Sequence, residues 1–507
     1  MKPGDEAMKR SAVPTWILAL LLACCVARLW LLPLPSSFWV DEMVTAFVVH
    51  YGAAHPSLAV APQVTESVYY WLPRASERLF GFSEIAYRLP SLLLMACAMW
   101  LVFRLAARLI HPNAGWFAVF ACLTLKIVNY QAADARPYAL GTCVAAAGLW
   151  FLVQWLDTAD WRRALLFLVC AALLWRVHLI YWPFYIVFAA YTVVRLWTKQ
   201  TRVTWVDAAV VYGSIAATLA PVALRAFSLL GQAQAHVIAD HAPTLRELNR
   251  AFKWGLVASS AGAAFLLSRV LRWPLRSSFG TSVLALVLGW WLVQPVALFA
   301  FSRLTGNSVF IDRYLSIALP GAALAATLAV AYFLPPEYWK LSSLALGAGV
   351  LLFMGNFRDF TPRHHNSDWR AATESIRRLG WPESTPVIYP SPFIEAQTPA
   401  WRPDYSLPGF LYCQLLVYPA PGTPYLLPFK NSPPAERYAA GVAQGPLAAS
   451  GRFLIYGGDV NVHLWQKWFA QRSEFAGWSD RLLGPFGDVE VAVFEDPARG
   501  SLALNFR

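Results

Sequence analysis

The sequence predicts a membrane all-α fold: a polytopic helical bundle of about eleven spans, followed by a small C-terminal extracytoplasmic α/β domain. Three observations predict it. Hydrophobic residues make up 58% of the chain and charged residues 14%, whereas soluble proteins carry about 25% charged residues. Apolar runs of roughly 20 residues, the length a helix needs to cross the hydrocarbon core, recur as far as Phe357. Beyond Phe357 charges, prolines and polar residues become frequent.

The predicted spans lie near 14–34, 89–110, 114–131, 138–156, 163–178, 179–197, 205–227, 252–270, 280–301, 312–334 and 340–356. The first run continues past Leu21-Leu22-Ala23-Cys24, which loosely resembles a lipoprotein cleavage box. An uncleaved first span is therefore expected. Lys and Arg in short loops orient the chain with its N-terminus inside and its tail outside. The net charge of +12 fits cytoplasmic loops and anionic headgroups rather than nucleic acid. The expected division is a polytopic membrane domain over 1–357, including a first outer loop at 35–88, and a soluble domain over 358–507.

Within that outer loop, Thr65 to Phe80 mixes aromatics with Arg74, Glu77 and Arg78. This reads as an amphipathic helix at the interface, with Pro73 a candidate bend or break. In the tail, a helix is expected from Ser367-Asp368-Trp369 to Leu379, and another over 461–472. Strands are expected at Pro386–Tyr389, Phe453–Tyr456 and Val489–Phe494. The Pro- and Tyr-rich region 395–440 reads as irregular. Six of the seven cysteines lie in apolar runs and only Cys413 lies in the tail, so no disulfide framework is expected there.

Candidate chemistry gathers on the outer face. Asp41-Glu42 follows Phe38-Trp39-Val40 just beyond the first span. A carboxylate beside low-dielectric material can serve as a general base for a hydroxyl. The plain alternative is that the acids cap the next helix, since negative charge favours a helix N-terminus. Asp134-Ala135-Arg136-Pro137-Tyr138 forms a very short outer turn. Ionisable groups at such depth are costly and usually functional, and arginine suits a phosphate. A structural Asp134–Arg136 pair is the alternative. Asp312-Arg313-Tyr314 opens the tenth span, where Arg313 either meets a ligand or snorkels to headgroups. Lys126 and His178 carry the same two readings, ligand contact or structural role. Neither His364-His365 nor any other cluster has metal-ligand spacing. There is no Walker loop and no Rossmann fingerprint. Acids and cations from distant loops thus land on one face, as a membrane enzyme acting on a lipid phosphate requires. A transporter or flippase of lipid-linked saccharide is the alternative, although transporters place polar groups near the midplane.

At these residues the sequence resembles the GT-C superfamily of polytopic membrane glycosyltransferases, in its family-39-like group. That group holds protein O-mannosyltransferases, aminoarabinose transferases of lipid A and bacterial relatives. Asp41-Glu42 resembles the acidic pair of the first outer loop. Tyr69-Tyr70-Trp71, then Leu79 to Glu84 and Tyr87 to Ser91, resembles the stretch leading into the second span. Asp134-Ala135-Arg136-Pro137-Tyr138 is similar to the acidic-Ala-Arg-x-Tyr turn. Arg313-Tyr314-Leu315 with Pro320 resembles an Arg-Tyr motif, and Asp368-Trp369-Arg370 the entry to the soluble domain. Where the family often has a His-Pro-Pro-like segment, this chain has Val64-Thr65-Glu66-Ser67-Val68, which gives Glu66 a candidate local role.

The resemblance implies inverting transfer of a sugar from a polyprenyl-phosphate donor to a lipid, glycan or protein acceptor hydroxyl at the outer face of a bacterial inner membrane. It implies Asp41 as base, Glu42 as its orienter or a sugar contact, and Arg136 and Arg313 as neutralisers of phosphate charge. Asp134, Tyr138, Tyr314, Lys126, His178, Glu66 and Tyr70 complete the expected substrate-binding set. Some members of the superfamily use a divalent metal near the acidic pair, and the residues themselves assign no ligand for one. A catalytically inactive, glycan-binding relative is the remaining alternative.

Overall fold

A computed structural model describes residues 13–51, 67–230, 241–273, 275, 279–393, 396, 401 and 410–499. These residues fall into two compact units. The first comprises 1–34, 66–81 and 88–362, and the second 35–65, 82–87 and 363–507.

The first unit is helical. Every predicted span carries a helix, as their unbroken apolar composition requires in a medium without water. Among the described residues, six helices are long and apolar enough to cross a membrane: Glu84–Leu109, Tyr138–Thr158, Leu179–Trp197, Trp205–Phe227, Thr281–Thr305 and Asp312–Ala331. A seventh span arises if Leu245–Ala251 and Trp254–Val270, bent by 50°, count as one. The structure therefore supports a multi-pass bundle but not the number eleven. The difference lies in the shorter pieces. The run over 114–131 divides at Thr124 and Leu125 into Ala114–Leu123 and Lys126–Ala132, and the helix after Asp160 is 17 residues long.

Helix Leu319–Ala331 is buried along nearly its whole length. It packs against Thr281–Thr305 and Trp254–Val270. A Cβ on Gly321 would stand 2.5 Å from the Trp291 backbone nitrogen. Only glycine lets the two backbones approach this closely, the usual device where helices pack without a hydrophobic drive. Within the amphipathic segment, the helix proper is Trp71–Phe80. Pro73 does not break it, because it sits in the first turn where the missing N–H has no intrahelical partner. Trp71, Leu79 and Phe80 are exposed while Pro73 and Ser76 are buried, the pattern expected of an interfacial helix.

The first helix, Thr15–Val26, passes into a π-helical turn over Ala27–Leu31 that turns Arg28 inward. The Arg28 guanidinium donates to the carbonyls of Gly355, Asn356, Asp359 and Phe360. These close the end of the last helix of the bundle, Trp339–Met354, whose final carbonyls have no intrahelical donors. Asn356 adopts φ 40°, a left-handed geometry that Asn tolerates better than most residues.

The second unit holds a five-stranded sheet of order β2-β1-β3-β5-β4, where β1 is Pro386–Pro390, β2 Thr423–Leu427, β3 Arg452–Gly458, β4 Ser479–Leu483 and β5 Val489–Glu495. β1 pairs in parallel with β2 and β3, and β5 is antiparallel to β3 and β4. The three predicted strands are β1, β3 and β5, the buried centre of the sheet. Helix Trp369–Arg378 also stands where expected, with the Asp368 carboxylate accepting from the Ala371 N–H at 3.1 Å. The second predicted helix is observed at Asp459–Ala470.

Region 395–440 is not wholly irregular, since it contains β2, a short helix at Gln414–Val417 and most of Pro433–Val442. Both unpredicted strands are sheet edges. An edge tolerates Pro424 in β2 and the charges of Asp480 and Arg481 in β4, so neither shows the apolar pattern of a central strand.

Replacing Arg28 by Ala should lower the melting temperature of the detergent-solubilised protein by several degrees, because bonds from a charged donor contribute about 2 kcal/mol. Lysine should not restore it, having no planar fork to reach four carbonyls. An unchanged transition in Arg28→Ala would show that the clamp contributes nothing to the fold.

Candidate functional site

In the first unit four short segments converge. They are the 3-10 turn Val68–Tyr70, the turn 131–138, the turn 177–181 and the 3-10 run Asp312–Ala318. Each lies at a helix end, where the backbone leaves the regular ladder and side chains from different helices can meet. Uncharged polar side chains fix the convergence. Ser67 Oγ donates to the Val177 carbonyl at 2.6 Å, and Gln131 Nε2 donates to the Arg313 carbonyl at 3.3 Å. Gln294, fully buried within helix Thr281–Thr305, donates to the carbonyls of Ile180 at 2.9 Å and Tyr314 at 3.3 Å. Inside an apolar bundle such bonds are retained because the alternative is an unsatisfied backbone group.

The side chains so gathered form an aromatic wall. The Tyr138 ring lies 6.2 Å from His178, stacked at 25°, and 6.2 Å from Tyr314. His178 lies 5.2 Å from Tyr314 and 5.9 Å from Tyr181. Arg136 and Arg313 are both close enough to His178 to act on it electrostatically, and the Arg313 guanidinium sits 5.7 Å over the Tyr314 ring. Asp134, only 1% exposed, and Arg136 both act on the buried Tyr69 phenol. The turn itself is tightened by the Arg136 N–H donating to the Asp134 carbonyl at 2.8 Å.

Arg136, Tyr138, His178, Arg313 and Tyr314 are thus brought together as the sequence proposes, with Asp134 next to Tyr69. Tyr70 is buried with its ring 5.4 Å from Tyr69. Lys126 is exposed at the first position of helix Lys126–Ala132, and Glu66 lies outside the described residues. Sequence reasoning took Tyr69 only as part of a motif and passed over Gln131, Tyr181 and Gln294. For Gln294 a signal was available, because an amide in the middle of an apolar span is expensive unless it is used.

The acidic pair belongs to the second unit. Asp41 and Glu42 occupy the first turn of helix Val40–His50, where the helix dipole favours negative charge. Glu42 is fully buried and its Oε2 accepts from the Trp39 N–H at 3.2 Å, one half of a capping box. Asp41 does not share that capping bond and is half-buried. The entry to the helix is tied down locally. Tyr418 Oη accepts from the Phe38 N–H at 2.7 Å and donates to Glu84 at 2.7 Å. Glu84 also pairs with Arg370, Ser37 Oγ donates to Asp368 at 2.9 Å, and Trp39 stacks on His365 at 5.2 Å. The buried Cys413 thiol is raised above its ordinary range, first by burial and then by the nearby Asp41 charge, so it is inert as a nucleophile.

His364 Nε2 approaches Glu42 Oε1 to 4.0 Å, and both side chains are buried. An imidazole and a carboxylate are donors that suit a transition-metal ion, so this pair fits two ligands of the divalent ion that the resemblance allows. Neighbouring His364 and His365 gave no recognisable ligand spacing because the second donor lies 322 residues away in sequence (364 − 42).

Comparison with known proteins bears on this geometry. Residues 66–225 match the family profile of dolichyl-phosphate-mannose-protein mannosyltransferases. No curated protein matches. The crystal structure of ArnT from Cupriavidus metallidurans in the apo state is similar in fold, with a TM-score of 0.57, at 11% identity over 94% of this chain and 98% of that one. The same protein bound to undecaprenyl phosphate gives a TM-score of 0.55, at 12% identity over 95% and 98%. About a third of the chain thus resembles that family's profile, and nearly its whole length shares the fold of that multi-pass membrane protein.

Proposed function

We propose that the protein transfers a sugar, with inversion, from a polyprenyl-phosphate donor to an acceptor hydroxyl at the outer face of a bacterial inner membrane. The observation that carries this reading is the pair of guanidiniums, Arg136 and Arg313, held within electrostatic reach of one imidazole in a wall of buried phenols. Grouped cations favour an anion, and arginine matches a phosphate in shape as well as charge. That ArnT has been crystallised with undecaprenyl phosphate supports a polyprenyl phosphate as that anion. The exposed aromatics of helix Trp71–Phe80 suit the headgroup layer where such a lipid presents its phosphate.

The chemistry follows from the parts. The acceptor oxygen attacks the anomeric carbon from the face opposite the phosphate. A new C–O bond forms, the bond from that carbon to the phosphate oxygen breaks, and polyprenyl phosphate leaves with the electron pair. Asp41 accepts the acceptor's proton, as a general base near an interface can. Glu42, already engaged as a cap, holds the helix turn that carries Asp41. The transition state resembles an oxocarbenium ion, as in glycoside hydrolysis. Negative charge grows on the departing phosphate, where Arg136 and Arg313 stabilise it, assisted by hydrogen bonds from Tyr138 and Tyr314. Residues 1–357 carry the transfer machinery, and the tail over 358–507 lies outside the membrane. Should a divalent ion bind, Glu42 and His364 are residues that would hold it, and the ion would supply further positive charge.

The assay incubates the purified full chain with a panel of polyprenyl-phosphate sugars and follows release of free polyprenyl phosphate. Asp41→Asn should reduce release by about 100-fold or more while leaving expression and lipid binding intact. Full activity in that variant would remove Asp41 from the chemistry. Arg136→Ala should raise the donor concentration needed for half-maximal rate by about tenfold or more. An unchanged donor dependence would return Arg136 to the role of a structural partner of Asp134.

A further inference from the structure

Tyr181 stands apart in the aromatic wall. Its side chain is fully buried, yet among the described residues its hydroxyl meets no hydrogen-bond partner. A buried hydroxyl left unmade is costly, so such a group in a native fold calls for an explanation. Its orientation is not an accident of loose packing. A Cβ on Gly141 would fall 2.3 Å from Tyr181 Cε2, 2.5 Å from Cζ and 2.6 Å from the hydroxyl oxygen. Position 141 therefore has to be glycine for the phenol to lie where it does, against the first turn of helix Tyr138–Thr158. The backbone behind it is fixed as well, because the Ile180 carbonyl accepts from the buried amide of Gln294.

The hydroxyl also points into company. Tyr138 and Tyr314 act on the Tyr181 phenol electrostatically, and the His178 ring lies 5.9 Å from its own. These are the groups that flank the guanidiniums of Arg136 and Arg313. A donor kept unpaired in the same aromatic wall as the imidazole on which both cations act is arranged for an acceptor that arrives from outside, and the acceptor those cations select is an anionic oxygen.

We propose that Tyr181 is a ligand-binding residue of this site, its hydroxyl donating to a phosphate oxygen of the bound polyprenyl phosphate, with Gly141 as the positioning residue that gives the phenol room. This rests on the reading of the site as a lipid-phosphate site. The chemistry sets the expectation. Tyr181→Phe removes only the hydroxyl, so a protein that never used it internally should fold as well without it.

The test measures binding of undecaprenyl phosphate to the detergent-solubilised full chain, together with the melting temperature free of lipid. Tyr181→Phe should bind undecaprenyl phosphate about tenfold more weakly or worse, the effect of losing a bond to a charged acceptor. Its lipid-free melting temperature should be unchanged or higher. Undecaprenol, which keeps the tail but lacks the phosphate, should bind parent and variant alike. Gly141→Ala, which displaces the phenol without removing the hydroxyl, should weaken phosphate binding in the same sense. Equal binding of undecaprenyl phosphate by parent and Tyr181→Phe overturns the assignment and leaves the phosphate site standing. A drop in lipid-free melting temperature in Tyr181→Phe overturns it too, by showing the hydroxyl to be a structural donor. Failure of the parent to bind undecaprenyl phosphate at all removes the proposed function, and this inference with it.

Discussion

The constraint on which the rest of the first unit depends is electrostatic. Two guanidiniums, Arg136 and Arg313, half-buried beside buried phenols, act on one imidazole, and like charges so grouped repel. Removing such groups from water carries a large penalty unless opposite charge is at hand. Asp134, buried beside Tyr69, supplies part of it. A bound phosphate would bring further negative charge to the same cluster. On this view the amides of Gln131 and Gln294 and the hydroxyl of Ser67 hold a charged arrangement together against its own repulsion, each by bonding to a backbone carbonyl of a neighbouring segment.

The same logic divides the two acids of the first loop. Adjacent in sequence, they lie in different environments. Glu42 is fully buried, caps its helix through the Trp39 N–H and approaches His364. Asp41, one position earlier and half-buried, takes no part in that capping bond. This difference in surroundings is what allows the proposed division, Glu42 holding the turn and Asp41 taking the proton. The ring of contacts from Tyr418, Glu84, Arg370 and Asp368 then fixes the turn within the second unit.

Much of this was legible in the sequence because the physics involved is local. Membrane helices announce themselves through long apolar runs, and the buried strands β1, β3 and β5 through β-branched and aromatic residues. The edge strands β2 and β4 were hidden by Pro424 and by Asp480 and Arg481, residues that an edge accepts. The count of spans was the least legible feature, since a break such as that at Thr124 and Leu125 leaves the apolar composition unchanged. Arg136, Tyr138, Arg313 and Tyr314 were singled out because short charged motifs stand out at membrane depth. Tyr181 and Gly141 were not, because an aromatic and a glycine in apolar helices look like packing until the phenol is seen to lie over the missing side chain. His364 was weighed with His365 and set aside, since its approach to Glu42 is made by the fold and leaves no trace in spacing.

The claim that a lipid phosphate occupies the guanidinium cluster is open to direct observation by phosphorus NMR of undecaprenyl phosphate titrated with the purified full chain. The account predicts a shifted and broadened phosphorus resonance with the parent protein, and the free-lipid resonance unchanged when Arg136 and Arg313 are both replaced by Gln. A shift of equal size with the double variant would place the phosphate elsewhere and contradict the account.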